Sequence, residues 1–380
     1  MYILHIPSWF PTEKSPYTGN FIERHIKAIA PYYPAVELKV APVTRIKERK
    51  FVEKQENIVE LTYFYKDRNS FPGKVFNAFY RAYLYQKAAK EICKEYGKPD
   101  LIHLHVALPL GTFAKKWSKR WGIPLVLTEH WSIYQPKNSD KITPRLQKKL
   151  RSIFSSLKAY TTVSENLRNA IRELFPEKIS EVIYNVVDLD VFTHSPRQNE
   201  KKTIIHISTL DEEAKNFSGI LRAVKDLASQ RNDFVLKVIH ENRSETAEEY
   251  VKINHLSDVV TFLGNKNEQE VAEALRNSDF LLLYSNYENL PCVIIESFAS
   301  GKPVLVTPVG GITEIVDESN GIFTTPKNDQ ELANKLNYML DNYANYDSQR
   351  IRKYAELNFS FDKIGEQFYD FYRKILEHRD

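Results

Sequence analysis

Short apolar runs and amphipathic stretches of helical period alternate along this chain from end to end. In the first half, runs at residues 2–6, 36–41, 58–64, 101–105, 125–128, 159–163 and 181–184 are separated by helical patterns at 20–30, 77–96, 111–121, 141–155 and 166–174. In the second half, runs at 203–207, 235–239, 260–263, 280–284, 303–306 and 321–323 are separated by helical patterns at 218–229, 245–254, 268–277, 291–300, 311–316 and 329–342. Strand, helix, strand at this spacing predicts a parallel sheet covered on both faces. Two such series within 380 residues predict two doubly wound α/β domains facing a cleft. Ligands of such sheets bind beyond the carboxyl ends of the strands. The boundary is expected in the polar segment 185–198, which holds Pro196, giving domains of 1–188 and 189–360. Residues 361–376 carry Ile364, Phe368, Phe371, Tyr372 and Ile375 at helical spacing, a terminal helix that must dock on a domain.

Several function classes are excluded. There are 2 cysteines, Cys93 and Cys292, so neither a disulfide framework nor a cysteine zinc site is expected. No run reaches the ~18–20 apolar residues of a spanning helix. Pro7 breaks the first apolar run and Lys14 follows it, unlike a signal peptide, so a cytoplasmic chain is expected. No G-x-G-x-x-G follows a strand, and P-loop, G-x-S-x-G and H-E-x-x-H motifs are missing. Residues 1–185 hold 31 Lys/Arg against 17 Asp/Glu, a net +14, whereas residues 186–380 hold 22 against 32, a net −10. A cationic half and an anionic half suit different partners.

The richest segment is 280–316, FLLLYSNYENLPCVIIESFASGKPVLVTPVGGITEIV. An apolar strand runs into a loop carrying Glu288. Asn289 is suited to cap a helix and Pro291 to occupy its first turn, with Gly301 as its stop. Glu296 then lies in the second turn. The first backbone N–H groups of such a helix, at Leu290, Cys292 and Val293, bind phosphate. A diphosphate there has one carboxylate on each side, an arrangement fitted to a ribose and a sugar. Glu288 as a loop charge and Glu296 as a solvated helix residue is the plainer alternative.

This segment resembles the donor-binding signature of glycosyltransferase family 4, the retaining, metal-independent enzymes of the GT-B fold. The resemblance extends to HIPSWFPTEKSPYTGNFIERH, LIHLHVALPLGTFAKKW, LVLTEHWS, VSENL, VIYNVVDLDVF and the terminal NFSFDKIGEQFYDFYRKIL, which would cross back to the first domain. It implies two Rossmann-like domains, the first binding acceptor and the second donor. It implies that Glu288 contacts donor sugar hydroxyls and Glu296 the ribose, while Asn289 and Leu290 present backbone N–H groups to the diphosphate. Lys215 matches the family's phosphate-binding lysine, where an ammonium offsets charge on the leaving group. His130 matches a histidine near the reacting sugar, with His105 a weaker candidate. Glu129 either orients the His130 ring or is exposed. Gly264 is counted among the donor-binding positions. Gly19 and Asn20 would let backbone approach the diphosphate. Gly310 and Gly311 either bring backbone close to the ligand or form a tight turn. Thr209 stands where the family commonly has arginine, so one phosphate cation is missing unless Lys266 or Arg243 reaches in.

The resemblance implies hexosyl transfer from a nucleotide diphosphate sugar to a hydroxyl acceptor, a lipid-linked or growing surface glycan, with no cofactor and no metal. Asp188 and Asp190 form a D-x-D, which in a linker reads as turn capping rather than metal binding. A non-catalytic sugar-nucleotide-binding partner and a same-fold phosphorylase or epimerase are the alternatives. The basic segments 45–54, 115–120 and 145–151 are either solvated faces or attract anionic lipid at the inner face of the cytoplasmic membrane, with Trp117, Trp121 and Phe76 as anchors. No nucleic-acid motif accompanies the charge. No sequence feature sets an oligomeric state.

Overall fold

The computed structural model describes residues 1–13, 15, 18–176, 178–194 and 201–377, so Pro196 and its neighbours lie outside the described residues. The chain divides into two compact units, Met1–Asn185 with Phe361–Asp380, and Val186–Ser360.

The first unit is built on β1 (Ile3–Pro7), β2 (Ala35–Val43), β3 (Lys50–Gln55), β4 (Ile58–Lys66), β5 (Leu101–His105), β6 (Leu125–Glu129), β7 (Ala159–Thr162) and β8 (Ile179–Val182). Its helices are α1 (Asn20–Ile29), α2 (Phe71–Glu95), α3 (Gly111–Trp121), α4 (Pro144–Phe154) and α5 (Glu165–Leu174). The sheet order is β3-β4-β2-β1-β5-β6-β7-β8, parallel except for the edge strand β3. The inner strands are buried on both faces, which explains why they read as continuous apolar runs. The β1–β5 register sets His5 beside His103 and Pro7 beside His105.

The second unit contains β9 (Lys202–Ser208), β10 (Phe234–His240), β11 (Val260–Gly264), β12 (Phe280–Leu283), β13 (Val304–Val306) and β14 (Gly321–Phe323), in the order β11-β10-β9-β12-β13-β14, all parallel. Its helices are α6 (Glu212–Lys215), α7 (Phe217–Ala228), α8 (Glu245–Ile253), α9 (Glu268–Arg276), α10 (Cys292–Ala299), α11 (Asp329–Asn342) and α12 (Ser348–Phe359). Phe217, Phe234, Phe280, Leu282, Leu332 and Met339 form the centre of one core. Each such side chain contributes about 1.5–3 kcal/mol by leaving water.

The last helix, α13 (Phe361–Glu377), belongs to the first unit, where its five apolar positions are buried and it packs on α1. Gly365 permits that approach, since a Cβ there would lie 2.3 Å from the Ala28 carbonyl oxygen.

The structure corrects several sequence readings. The basic stretch 45–54 is partly strand, because residues from Lys50 onward pair antiparallel with β4, Phe51 opposite Thr62 and Val52 opposite Leu61. The helix expected from 77 starts at Phe71, where the Ser70 hydroxyl accepts from the Gly73 amide. The helix expected over 141–155 starts at Pro144, capped by Thr143. Residues 311–316 do not form a helix of their own; Gly310–Glu314 is a single 3-10 turn. Trp117 is no surface anchor. It is 2% exposed, stacked on Trp121 and in tilted ring contact with Phe113 and Tyr85.

Candidate functional site

In the second unit the candidate residues gather where β9, β12 and β13 end. Tyr284–Pro291 is a loop latched from two sides. The Asn286 amide donates to the Ala214 carbonyl at 2.7 Å, and the Gly311 amide donates to the Asn289 carbonyl at 2.7 Å. Gly310 has φ +60°, and a Cβ there would sit 2.0 Å from the Glu288 carbonyl oxygen. Only glycine lets these two backbones touch.

This latch aims Glu288 at Lys215. The Lys215 ammonium and the Glu288 carboxylate form an ion pair, and the Ser285 hydroxyl donates to the same Glu288 oxygen at 2.7 Å. The side chains are 17% and 11% exposed, so neither is a solvated surface charge. An ammonium carries three protons, of which Glu288 takes one.

Asn289 does not cap α10. The cap position is Pro291, whose side chain makes no cap bond, and the helix starts at Cys292. The amino end of α10 carries the positive pole of its dipole. Glu296 lies one turn in and is buried at 7% exposure, against the plainer reading of a solvated residue.

Thr209 follows β9 and is exposed, and Leu210 after it takes φ +55°. Gly264 ends β11 with φ +69° and open space around its Cβ direction. Neither compensating cation reaches in. Arg243 is bonded to Glu248 at 2.7 Å and Lys266 to Glu270 at 2.8 Å. His206 is held between the Leu282 carbonyl and Ser208, and burial pushes its pKa down to about 4. Asp188 accepts from the Asp190 and Val191 amides, a turn cap.

In the first unit the candidates meet at the carboxyl ends of β1, β5 and β6. Gly19 caps α1 with φ +79°, and a Cβ there would lie 2.5 Å from the Trp9 carbonyl oxygen. Asn20 is the first residue of that helix. His130 is 8% exposed, with its ring 4.5 Å from Phe21 and 5.4 Å from His25. Glu129 is neither exposed nor on the imidazole. It is fully buried, one oxygen accepting from the His130 and Trp131 amides and the other from the Ala107 amide and the Tyr134 hydroxyl. It fixes the loop carrying His130 through the backbone.

The sequence reading named His130 and, more weakly, His105, and missed His5, His25 and His103. His5, His25, His103 and His105 are all fully buried. His5 Nδ1 and His105 Nε2 are hydrogen-bonded at 3.1 Å, and His103 stacks on His105 at 3.9 Å. His103 is held by Tyr372 and Thr128, and His25 Nε2 lies 3.0 Å from the Tyr184 carbonyl. Burial lowers the pKa of His5 to about 3 and of His25 to about 4, and holds His103, His105 and His130 well below the ordinary value. The cluster is neutral at physiological pH. His5, His103 and His105, and separately His25, His105 and His130, each offer three ligand atoms within 4.8 Å, the groups among the described residues best placed for a metal. The only advance signal was His103-x-His105 within a strand, since a period of two puts both on one face. Nearby, Trp9, Phe10, Thr18, Arg81 and Leu110 line a cavity of about 230 Å³.

The comparisons with known proteins agree on one family. A model of glycosyl transferases group 1 matches residues 190–357, and one of glycosyltransferase family 4 matches residues 22–191. N-acetyl-alpha-D-glucosaminyl L-malate synthase of Bacillus anthracis is 28% identical over 292 residues, 73% of this chain and 75% of that protein. Among solved structures, sucrose-phosphate synthase from Thermosynechococcus elongatus superimposes with a TM-score of 0.81 at 17% identity, covering 99% of this chain and 100% of that one. Anabaena HepE in complex with UDP-glucose does so with a TM-score of 0.71 at 18% identity, covering 98% and 100%.

Proposed function

The chain belongs to the group 1 glycosyltransferases of family 4, with the GT-B fold, and from that membership we propose that it moves a hexosyl group from a nucleotide diphosphate sugar to a hydroxyl acceptor with retention of configuration. The Lys215–Glu288 pair beside the amino end of α10 carries this reading. Lys215 and the first-turn amides of α10 take the diphosphate, Glu288 accepts from sugar hydroxyls, and Glu296 accepts from the ribose. The bound UDP-glucose of the HepE structure supports the donor class.

The glycosidic C–O bond breaks as charge builds on the diphosphate, where Lys215 and the helix dipole stabilise it. The acceptor hydroxyl attacks from the same face and gives its proton to the departing diphosphate oxygen. Lys215 is the one side-chain cation assigned to the diphosphate, acting with the helix dipole, and the proposed transfer uses no divalent metal. His130, kept neutral by burial, contributes a hydrogen bond near the reacting sugar rather than a charge. The acceptor binds to the first unit. The Bacillus anthracis relative is named for a sugar joined to L-malate, which fits a hydroxyl acceptor. The cationic character of residues 1–185 fits an acceptor carrying phosphate or an anionic lipid, and we read it as lipid-linked or a growing surface glycan, met at the cytoplasmic face.

Incubation of the purified chain with labelled UDP- and GDP-sugars tests the proposal. Slow donor hydrolysis that Glu288→Ala abolishes is the expected result. Tight binding without turnover would favour a non-catalytic sugar-nucleotide-binding protein, the reading that exposed Thr209 and the engaged Arg243 and Lys266 support.

A further inference from the structure

One face of α2 contradicts what a soluble helix needs. Gly73, Asn77, Leu84, Tyr85, Ala88 and Ile92 are buried against the sheet, so the opposite face should be polar. Instead Phe71 is 82% exposed, Phe79 75%, Tyr83 58%, and Val75 and Phe76 46% each. Phe71, Val75, Phe79 and Tyr83 follow at intervals of four, one continuous stripe along the helix. Contiguous exposed apolar surface of this kind marks an interaction site.

The charge around the stripe identifies the partner. The part of α2 that carries the stripe, residues 71–83, contains Lys74 and Arg81 and no acid, and the acids Glu91 and Glu95 lie in its last turns, Glu91 paired with Lys87. Lys66 and Arg68 are exposed just before the helix, and the Arg68 guanidinium lies 4.1 Å from the Phe76 ring. Arg45, Lys47 and Arg49, against the single acid Glu48, lie on the exposed segment that leaves β2, at the sheet end where the Asp67 amide donates to the Val43 carbonyl. Aromatic side chains ringed by lysine and arginine on a helix face match the boundary between acyl chains and anionic headgroups. A second copy of the chain fits less well. A two-fold interface would set these cations against their own duplicates.

We propose that the Phe71–Tyr83 face of α2 inserts into the headgroup boundary of an anionic bilayer, with the cations of 45–49, 66–68 and Lys74 resting on the lipid phosphates. The contact is thus α2 rather than the tryptophan-bearing α3. It brings the first unit to the surface where a lipid-linked acceptor resides. The inference rests on that reading of the acceptor, yet its test needs no sugar nucleotide, so the two can fail separately.

The test is co-sedimentation of the full chain with phosphatidylglycerol/phosphatidylcholine vesicles and with phosphatidylcholine alone, at low and high salt. The wild type should pellet with the anionic vesicles and be released by salt. The double variant Phe71→Ser/Phe79→Ser should bind at least about tenfold more weakly, because each phenyl ring is a full burial term. Both side chains face solvent, so its thermal midpoint and its donor hydrolysis should match the wild type. Failure of the wild type to pellet at low salt, or equal pelleting of the variant, overturns the proposal. So does a lipid-free wild-type dimer in gel filtration that the double variant converts to monomer, since a second copy then covers the stripe. A wild type that binds vesicles but hydrolyses no donor leaves this surface standing and removes the transferase reading.

Discussion

The two units solve the same problem, placing polar groups where parallel strands end, with opposite electrostatics. The second uses formal charge: Lys215 paired with Glu288, and Glu296 in α10. The first uses five buried imidazoles that burial keeps neutral, and the buried Glu129 carboxylate spent on three backbone amides and the Tyr134 hydroxyl. The difference follows from what each half is proposed to hold. A diphosphate gains negative charge as it leaves, so it needs cations and a helix dipole. A hydroxyl acceptor stays neutral until attack, and a dry neutral pocket does not compete for its proton.

The largest effect that would sharpen this contrast is kinetic. Lys215→Ala should lower transfer by about 100- to 1000-fold, the usual loss for one preorganised charge partner. Nucleoside diphosphate affinity should fall while nucleoside affinity holds. Equal losses for both, by calorimetry, would break the assignment of charge chemistry to the second unit.

Next comes acid stability. A histidine whose folded pKa lies below its unfolded value of 6.5 stabilises the fold fully above pH 6.5, and loses that contribution as pH falls towards the folded value. His25, lowered to about 4, alone withdraws up to about 3 kcal/mol over that window. The first unit has five such histidines, whereas the second has His206. All 4 tryptophans, Trp9, Trp117, Trp121 and Trp131, belong to the first unit. Tryptophan fluorescence should therefore report acid unfolding roughly one pH unit above the second half of the far-UV circular dichroism change. Coincident transitions would show that the histidine core does not set the acid limit.

The smallest effect concerns the latch. Gly310→Ala places a Cβ on the Glu288 carbonyl and should cost about 2 kcal/mol, roughly 4–8 °C in thermal midpoint. Gly264→Ala, with positive φ but open space, should cost only about 1 kcal/mol. Calorimetric scans that rank the two the other way would show that backbone strain, not the Glu288 contact, dominates.

The segment around Glu288 was largely legible in advance because its parts are contiguous. Strand, acid, helix and second acid all fall within 280–300, where local rules suffice apart from the cap, which is Pro291 rather than Asn289. Lys215 lies 73 residues earlier and was visible only through the family pattern. The histidine cluster was not legible. Nothing in the sequence says that β1 lies against β5 in the register that joins His5 to His103 and His105. The α2 stripe was hidden for another reason. Apolar residues occur on both sides of that helix, so periodicity alone does not say which side meets the sheet. Trp117 illustrates the same limit, because a tryptophan between lysines reads as an anchor until packing buries it.

Local physics thus settled the alternation of strands and helices, the two largely parallel sheets and the strand–loop–helix order around Glu288, since apolar period and turn chemistry act over a few residues. The tertiary structure alone decided the histidine core, the pairing of Lys215 with Glu288 and the face of α2 left bare. Each depends on which distant segments meet, and strand register and helix packing fix that only once the whole unit has folded.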